Sequence, residues 1–117
     1  MSALTTHILD TSLGKPAAGV RLHLHKRVDD QQQYLSTHIT NADGRCDAPM
    51  LSGGAFTTGV YELVFEMGNY FRQHHANLPD PLFLDQIVIR FGISNTQDHY
   101  HVPLLVSPFG YSTYRGS

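Results

Sequence analysis

The chain has 117 residues, 41% hydrophobic and 15% charged, with 10 glycines and 6 prolines; this is the size and balance of a single domain, 1–117, with its own core. Eight Lys and Arg against ten Asp and Glu leave a formal net charge of −2, and the basic residues are scattered, which argues against a nucleic-acid partner. No apolar run approaches the ~18 residues a membrane helix needs, and the one cysteine, Cys46, excludes an intrachain disulfide and a dithiol redox pair.

Met1 to His7 shows neither a basic leader nor an apolar stretch with a cleavage site, so the expected location is the cytoplasm. In the segment that follows, Leu4, Thr6 and Ile8 share one face of a strand while His7 points away with Thr5. Turn residues fill Asp10 to Pro16. Val20, Leu22 and Leu24 then alternate with Arg21, His23 and His25, the period of a strand with one buried face. Further turns are predicted at Asp29-Asp30-Gln31-Gln32, at Asn41-Ala42-Asp43-Gly44 and at Ser52-Gly53-Gly54. Tyr61, Leu63 and Phe65 alternate with Glu62, Val64 and Glu66. One short helix is predicted over Asn69–Asn77, behind an Asn cap and ahead of Pro79 and Pro81. Ile87, Ile89, Phe91 and Ile93 restore the strand period. Short strands at this spacing predict a mainly β fold, a two-sheet sandwich with one helix.

The last stretch, His99 to Ser117, reads as a hairpin around a Ser107–Gly110 loop. Counting back from the loop pairs Val106 with Tyr111, Leu105 with Ser112, Pro103 with Tyr114 and His101 with Gly116. His101, Ser112 and Tyr114 then share one face, and Tyr100, Val102, Leu104, Tyr111 and Thr113 fall on the other, as core candidates. The competing reading leaves His101 facing solvent.

Eight histidines supply the side chain best suited to proton transfer near neutral pH. His23-x-His25 and His99-x-His101 each place two imidazoles on one strand face, a partial metal site that needs further ligands. The adjacent His74 and His75 point in different directions and are expected at the surface. Arg45 directly follows a turn, where a guanidinium can be aimed into a cleft. Cys46 beside it could be a thiolate favoured by a nearby cation, but without a Cys–His pair its expected role is that of a small buried residue. No nucleophile elbow, phosphate loop or dinucleotide fingerprint is present.

Thr6-His7-Ile8-Leu9-Asp10 with Gly14-Lys15-Pro16-Ala17, then Thr40 to Arg45, then His101 to Pro108 running into Tyr114-Arg115-Gly116-Ser117, closely resemble the 5-hydroxyisourate hydrolases, the transthyretin-related proteins of purine catabolism. The terminal Tyr-Arg-Gly-Ser is the most specific element, since it separates the hydrolases from transthyretin, the hormone carrier of the same fold. The resemblance implies a transthyretin-like sandwich and a homotetramer whose central channel holds the active sites. It also implies ring-amide opening of 5-hydroxyisourate to 2-oxo-4-hydroxy-4-carboxy-5-ureidoimidazoline.

Carried over by position, the implied catalytic set is His7, Arg45, His101 and Ser117, with substrate bound by His7, Arg45 and Tyr114. Such a reaction needs an activated water, donors for an oxyanion and a proton for the departing nitrogen. His7 and His101 are expected to share the proton work, Arg45 to hold carbonyl oxygens, and Tyr114 and Ser117 to orient the substrate, with no cofactor or metal. Two other readings compete: a small-molecule carrier without turnover, and a metal-dependent module built on His7, His99 and His101.

Overall fold

A computed structural model of the chain describes residues 2–116. Two sheets face each other. The first contains β1 (Ala3–Asp10), β2 (Lys15–Pro16), β5 (Leu51–Ser52), β8 (Tyr100–Ser107) and β9 (Gly110–Thr113), in the order β2-β1-β8-β9, with β5 also paired to β1. The second runs β4-β3-β6-β7 from β3 (Arg21–Val28), β4 (Gln31–Ile39), β6 (Gly59–Glu66) and β7 (Gln86–Ile93). Neighbours are antiparallel except β1 and β8, which run parallel. This pairing is not signalled by the alternation of side chains, and it is what places Thr5 opposite His101 and His7 opposite Pro103.

Burial follows the predicted alternation in β1, β3 and β7, with Phe91 only partly buried, whereas in β6 Glu62 and Val64 on the other face are buried as well. Leu4, Ile8, Leu22, Leu24, Leu63, Phe65 and Leu104 are fully buried, and together with Tyr61, Phe71, Ile87 and Ile93 they fill the space between the sheets. Each such side chain removed from water contributes on the order of 1.5–3 kcal/mol. Thr5 and His7 lie on the opposite, part-exposed side of β1.

Several expectations need correction. The β3–β4 turn is only two residues, Asp29 and Asp30, both in the left-handed region with φ of 53° and 63°; Gln31 and Gln32 already belong to β4. Such a pair matches the right-handed strand twist of a two-residue hairpin. The helix, α1, spans Met67–His74 instead of Asn69–Asn77. It starts directly off β6 because the Asp85 carbonyl accepts from the Met67 and Gly68 amides at 3.0 and 3.1 Å, so an Asn cap is not used. It ends at His75, whose backbone is extended.

Tyr111 and Thr113 are exposed, not core. Residue alternation assigns them a face, but β9 is the edge of its sheet, and among the described residues no further strand pairs with it. Pro103 and Leu105 share the cleft side of the hairpin, and Pro103 is already buried within the protomer, beside His7 on the adjacent strand. Nor is His75 a free surface residue: its Nε2 lies 3.2 Å from Asp10 Oδ2, whereas His74 is exposed and stacks on Tyr70 with ring centroids 4.3 Å apart.

Asp10 ends β1 with a completely buried carboxylate. It accepts from the Ser12 amide (3.0 Å), the Ser12 hydroxyl (2.5 Å), the Leu13 amide (3.2 Å) and the Tyr70 hydroxyl (2.9 Å). Burial disfavours the charge, but these donors together hold the Asp10 carboxyl below its ordinary value. The same node ties the cleft strand to α1.

Candidate active site

Three segments that are distant in sequence meet on the outer side of the first sheet. His7 comes from β1, His101 from β8, and Arg45 from the turn that crosses beside β1. That turn is built by Asn41, whose side-chain oxygen accepts from the Asp43 and Arg45 amides at 2.9 and 3.2 Å. Gly44 completes it with φ +74°. A side chain at position 44 would place its Cβ 2.5 Å from the Ile8 carbonyl, so the turn can lie flat on β1 only because residue 44 is glycine. The Ile8 amide donates to the Gly44 carbonyl at 2.9 Å, and Arg45 forms an isolated bridge with His7.

The hairpin register agrees with the count from the loop. Val106 pairs with Tyr111, Leu105 with Ser112 and Ser107 with Gly110. Beyond β9 the tail returns to the strand, where Gly116 bridges His101 and its amide donates to the His101 carbonyl at 2.7 Å. A Cβ on Gly116 would come within 2.9 Å of His101 Cδ2, so the tail glycine permits close approach to the imidazole.

These segments enclose a cleft of about 790 Å³ lined by His7, Arg45, His99, His101, Pro103, Tyr114 and Arg115, among others. A second hollow of about 390 Å³ adjoins it, sharing Arg45, His99 and His101 and adding Thr5, Thr6 and Cys46. His7, Arg45, His101 and Tyr114 are thus brought together as expected. Ser117 lies outside the described residues. Spacing alone did not single out Thr5, Pro103 or Arg115; the His99-x-His101 pattern flagged His99, but as a metal ligand. Among the described residues, no group of three or more His, Cys, Asp or Glu side chains is arranged to hold a metal ion.

The electrostatics of the cleft favour neutral imidazoles. Burial, then the Arg45 guanidinium, pull His7 below the ordinary histidine value, while the Asp43 backbone and carboxylate act in the opposite direction. His101 is lowered by burial first, then by Arg45, His7 and His99. Their ring centroids are 6.5 Å apart and tilted by 32°, without a direct hydrogen bond between them. Arg45 is exposed and, among the described residues, has no carboxylate within ion-pair distance. Arg115 is differently placed: it donates to the His99 carbonyl at 3.2 Å, lies 3.6 Å from Asp98 and stacks over Tyr100 at 4.1 Å. The Cys46 thiol is half-buried and packs on the core. Burial, then Asp47, push its titration upward, which disfavours a thiolate.

The chain is similar to known proteins over nearly its whole length. The model of the HIUase/Transthyretin family matches residues 4–116. The 5-hydroxyisourate hydrolase of Pseudomonas aeruginosa is 53% identical over 117 residues, covering 100% of this chain and 93% of that protein. The 5-hydroxyisourate hydrolase 2 of Rhizobium meliloti is 54% identical over 97% of this chain and 95% of its own length.

Among solved structures, Klebsiella pneumoniae 5-hydroxyisourate hydrolase superposes with a TM-score of 0.80 at 38% identity, covering 100% of both chains. An (S)-allantoin synthase gives 0.93 at 48% identity, but this chain, covered over 99%, spans only 44% of that longer protein. Sea bream transthyretin in complex with thyroxine gives 0.86 at 28% identity over 97% and 94% of the two chains. The match runs through both sheets and the tail that closes on His101, and the chain belongs to the HIUase/Transthyretin family.

Proposed function

We propose that this chain is a 5-hydroxyisourate hydrolase, opening the ring amide of that oxidised purine to give 2-oxo-4-hydroxy-4-carboxy-5-ureidoimidazoline in urate degradation. The observation that carries the reading is the convergence of His7, His101 and Arg45 on one cleft, supported by relatives bearing that name at about half identity over the whole chain. Fold alone would not suffice, since a thyroxine-bound transthyretin shares it.

Two imidazoles with lowered titration are largely neutral at pH 7, so one can take a proton from water as it attacks the ring carbonyl. The other can return a proton to the departing nitrogen. Arg45 stays protonated and cannot act as base. Its planar fork, with no carboxylate within ion-pair distance among the described residues, suits the carbonyl oxygens and the negative charge that grows on one of them. Tyr114 lines the same cleft and offers a hydroxyl to orient the substrate, and Ser117 is assigned a like role by the family pattern. The chemistry needs no cofactor or metal.

The working form proposed is a cytoplasmic homotetramer. The cleft of one protomer is open, and β9 leaves an uncovered edge beside it; burial of that face against further copies would exclude bulk water from the reacting groups. The deciding experiment follows 5-hydroxyisourate, generated in place from urate, against its spontaneous decay. Accelerated loss that persists after dialysis against a chelator is expected. Tight binding without acceleration would instead make the chain a carrier. Light scattering of a Leu105→Arg variant tests the assembly: a monomer with full specific activity would refute it.

A further inference from the structure

Thr5 stands beside His7 on the cleft side of β1, and the parallel register sets it opposite His101. Its Oγ1 lies 2.8 Å from His101 Nδ1 and 3.2 Å from His99 Nε2. Two imidazoles on β8 and the residue before it therefore converge on one hydroxyl in the smaller hollow, which shares both histidines with the cleft. Among the described residues His101 Nε2 has no hydrogen-bond partner, and the neighbouring Cδ2 edge lies against Gly116.

From this geometry we infer that Thr5 is a positioning residue that joins His101 to His99 as a proton relay, an inference that rests on the hydrolase reading and assigns the water-activating role to His101. A hydroxyl has one hydrogen to give and lone pairs to accept with. When His101 donates its Nδ1 hydrogen to Thr5 and Thr5 donates to His99 Nε2, His101 Nε2 carries a bare lone pair. In the reverse arrangement His99 Nε2 donates, Thr5 gives its hydrogen to His101 Nδ1, and His101 Nε2 becomes a donor. The threonine thus couples the tautomers of the two rings.

The same chain moves charge. As water gives a proton to His101 Nε2, the Nδ1 proton passes to Thr5 Oγ1 while the Thr5 hydroxyl proton passes to His99 Nε2. One O–H bond of water breaks, one N–H bond forms at His101, and the positive charge finishes on His99, leaving hydroxide to attack the carbonyl. An imidazolium held at His101 would sit beside Arg45, His7 and His99, all of which disfavour it, and the relay moves the charge off that ring.

Thr5→Val keeps the shape and removes the hydroxyl. It is expected to lower kcat by about tenfold or more, less than the ~10²-fold that a positioned general acid or base itself supplies, with KM nearly unchanged. It should also shift the His101 ring-nitrogen resonances, which report the tautomer by NMR. Thr5→Ser should restore most of the rate. His99→Gln retains a hydrogen-bonding partner for Thr5 but cannot hold the proton, so its kcat should fall while the fold persists.

Wild-type kcat and unaltered His101 resonances in a folded Thr5→Val protein would overturn the positioning role, and wild-type kcat in His99→Gln would overturn the relay. If Thr5→Val does not fold, His99→Gln and Thr5→Ser decide. The NMR readout separates the two readings. A wild-type protein that fails to turn over 5-hydroxyisourate refutes the hydrolase reading, whereas the resonances still judge the Thr5 coupling.

Discussion

The two sheets treat their outward polar side chains in opposite ways. Across the outer face of the second sheet, bases meet acids. Arg90 Nε donates to Glu62 Oε2 at 2.7 Å, Gln32 Nε2 donates to Glu62 Oε1 at 2.9 Å, Arg27 stands 4.0 Å away, and His23 Nε2 lies 2.5 Å from Glu66 Oε2. Glu62 is 4% exposed, a burial tolerable only because its carboxylate is so well supplied with donors. In the cleft of the first sheet His7, His101 and Arg45 converge, and among the described residues none of the three has a carboxylate within ion-pair distance, although Asp43 acts on His7 and Asp98 lines the cleft. Paired charges on the one face satisfy each other. On the other, Arg45 lowers the protonation of His7 and His101, and its own guanidinium carries no ion pair among the described residues.

The largest expected effect lies in the cleft. His7→Asn or His101→Asn should lower turnover by about 10²-fold or more, the scale of a positioned acid or base, with unchanged circular dichroism. A folded His101→Asn protein with full rate would erase the contrast between the faces. Next is Arg45: Lys should be nearly as damaging as Ala, because the charge remains while the bidentate fork is lost.

Arg45→Gln also tests the electrostatics through the pH–rate profile. A base must be neutral to work, and Arg45 lowers the titration of both His7 and His101. Activity in the parent protein should therefore fall only below the ordinary histidine range. In Arg45→Gln that acid limb should move up toward it, whereas Arg45→Lys should leave it nearly in place.

The paired face should respond in stability and not in rate. Glu62→Gln is expected to cost about 1–3 kcal/mol of unfolding free energy, the range for lost charge-assisted hydrogen bonds to a buried group, with kcat unchanged. The Arg90 hydrogen bond, against the opposing effect of burial, holds the Glu62 carboxyl below its ordinary value. Its contribution is present above the unfolded-state value and is lost as pH falls through the folded one. The acid dependence of Tm should flatten in the variant. The smallest effect is Cys46→Ser, near neutral in rate; strong loss in a folded variant would restore the thiolate reading.

Local patterns carried much of this into the sequence. The Ser107–Gly110 loop fixed a register in which His101 meets Gly116, because each hairpin step follows from the one before. Alternation placed His7 and Thr5 opposite Leu4 and Ile8. Neither pattern says which strands pair at long range, so the parallel contact of β1 with β8 was illegible, and with it the meeting of Thr5 with His99 and His101. Tyr111 and Thr113 were misassigned for a related reason: period two gives a side of the strand, not what covers that side. His7, Arg45 and His101 entered as a set through the family resemblance, since strand spacing alone left each an ordinary surface residue.

The Asp10 node has a consequence for motion. An eight-residue helix cannot sustain itself in water, and α1 persists because its inner side is packed on the sandwich and because Tyr70 and His75 both reach Asp10. Weakening that carboxylate would release the helix as one cooperative unit ahead of the sheets. Hydrogen exchange in Asp10→Asn should therefore quicken together at the amides of α1 and of Ser12 and Leu13, while the central amides of β8 keep their protection. The cleft sheet and the helix tied to it would then behave as two layers of different durability, pinned together by one buried carboxylate.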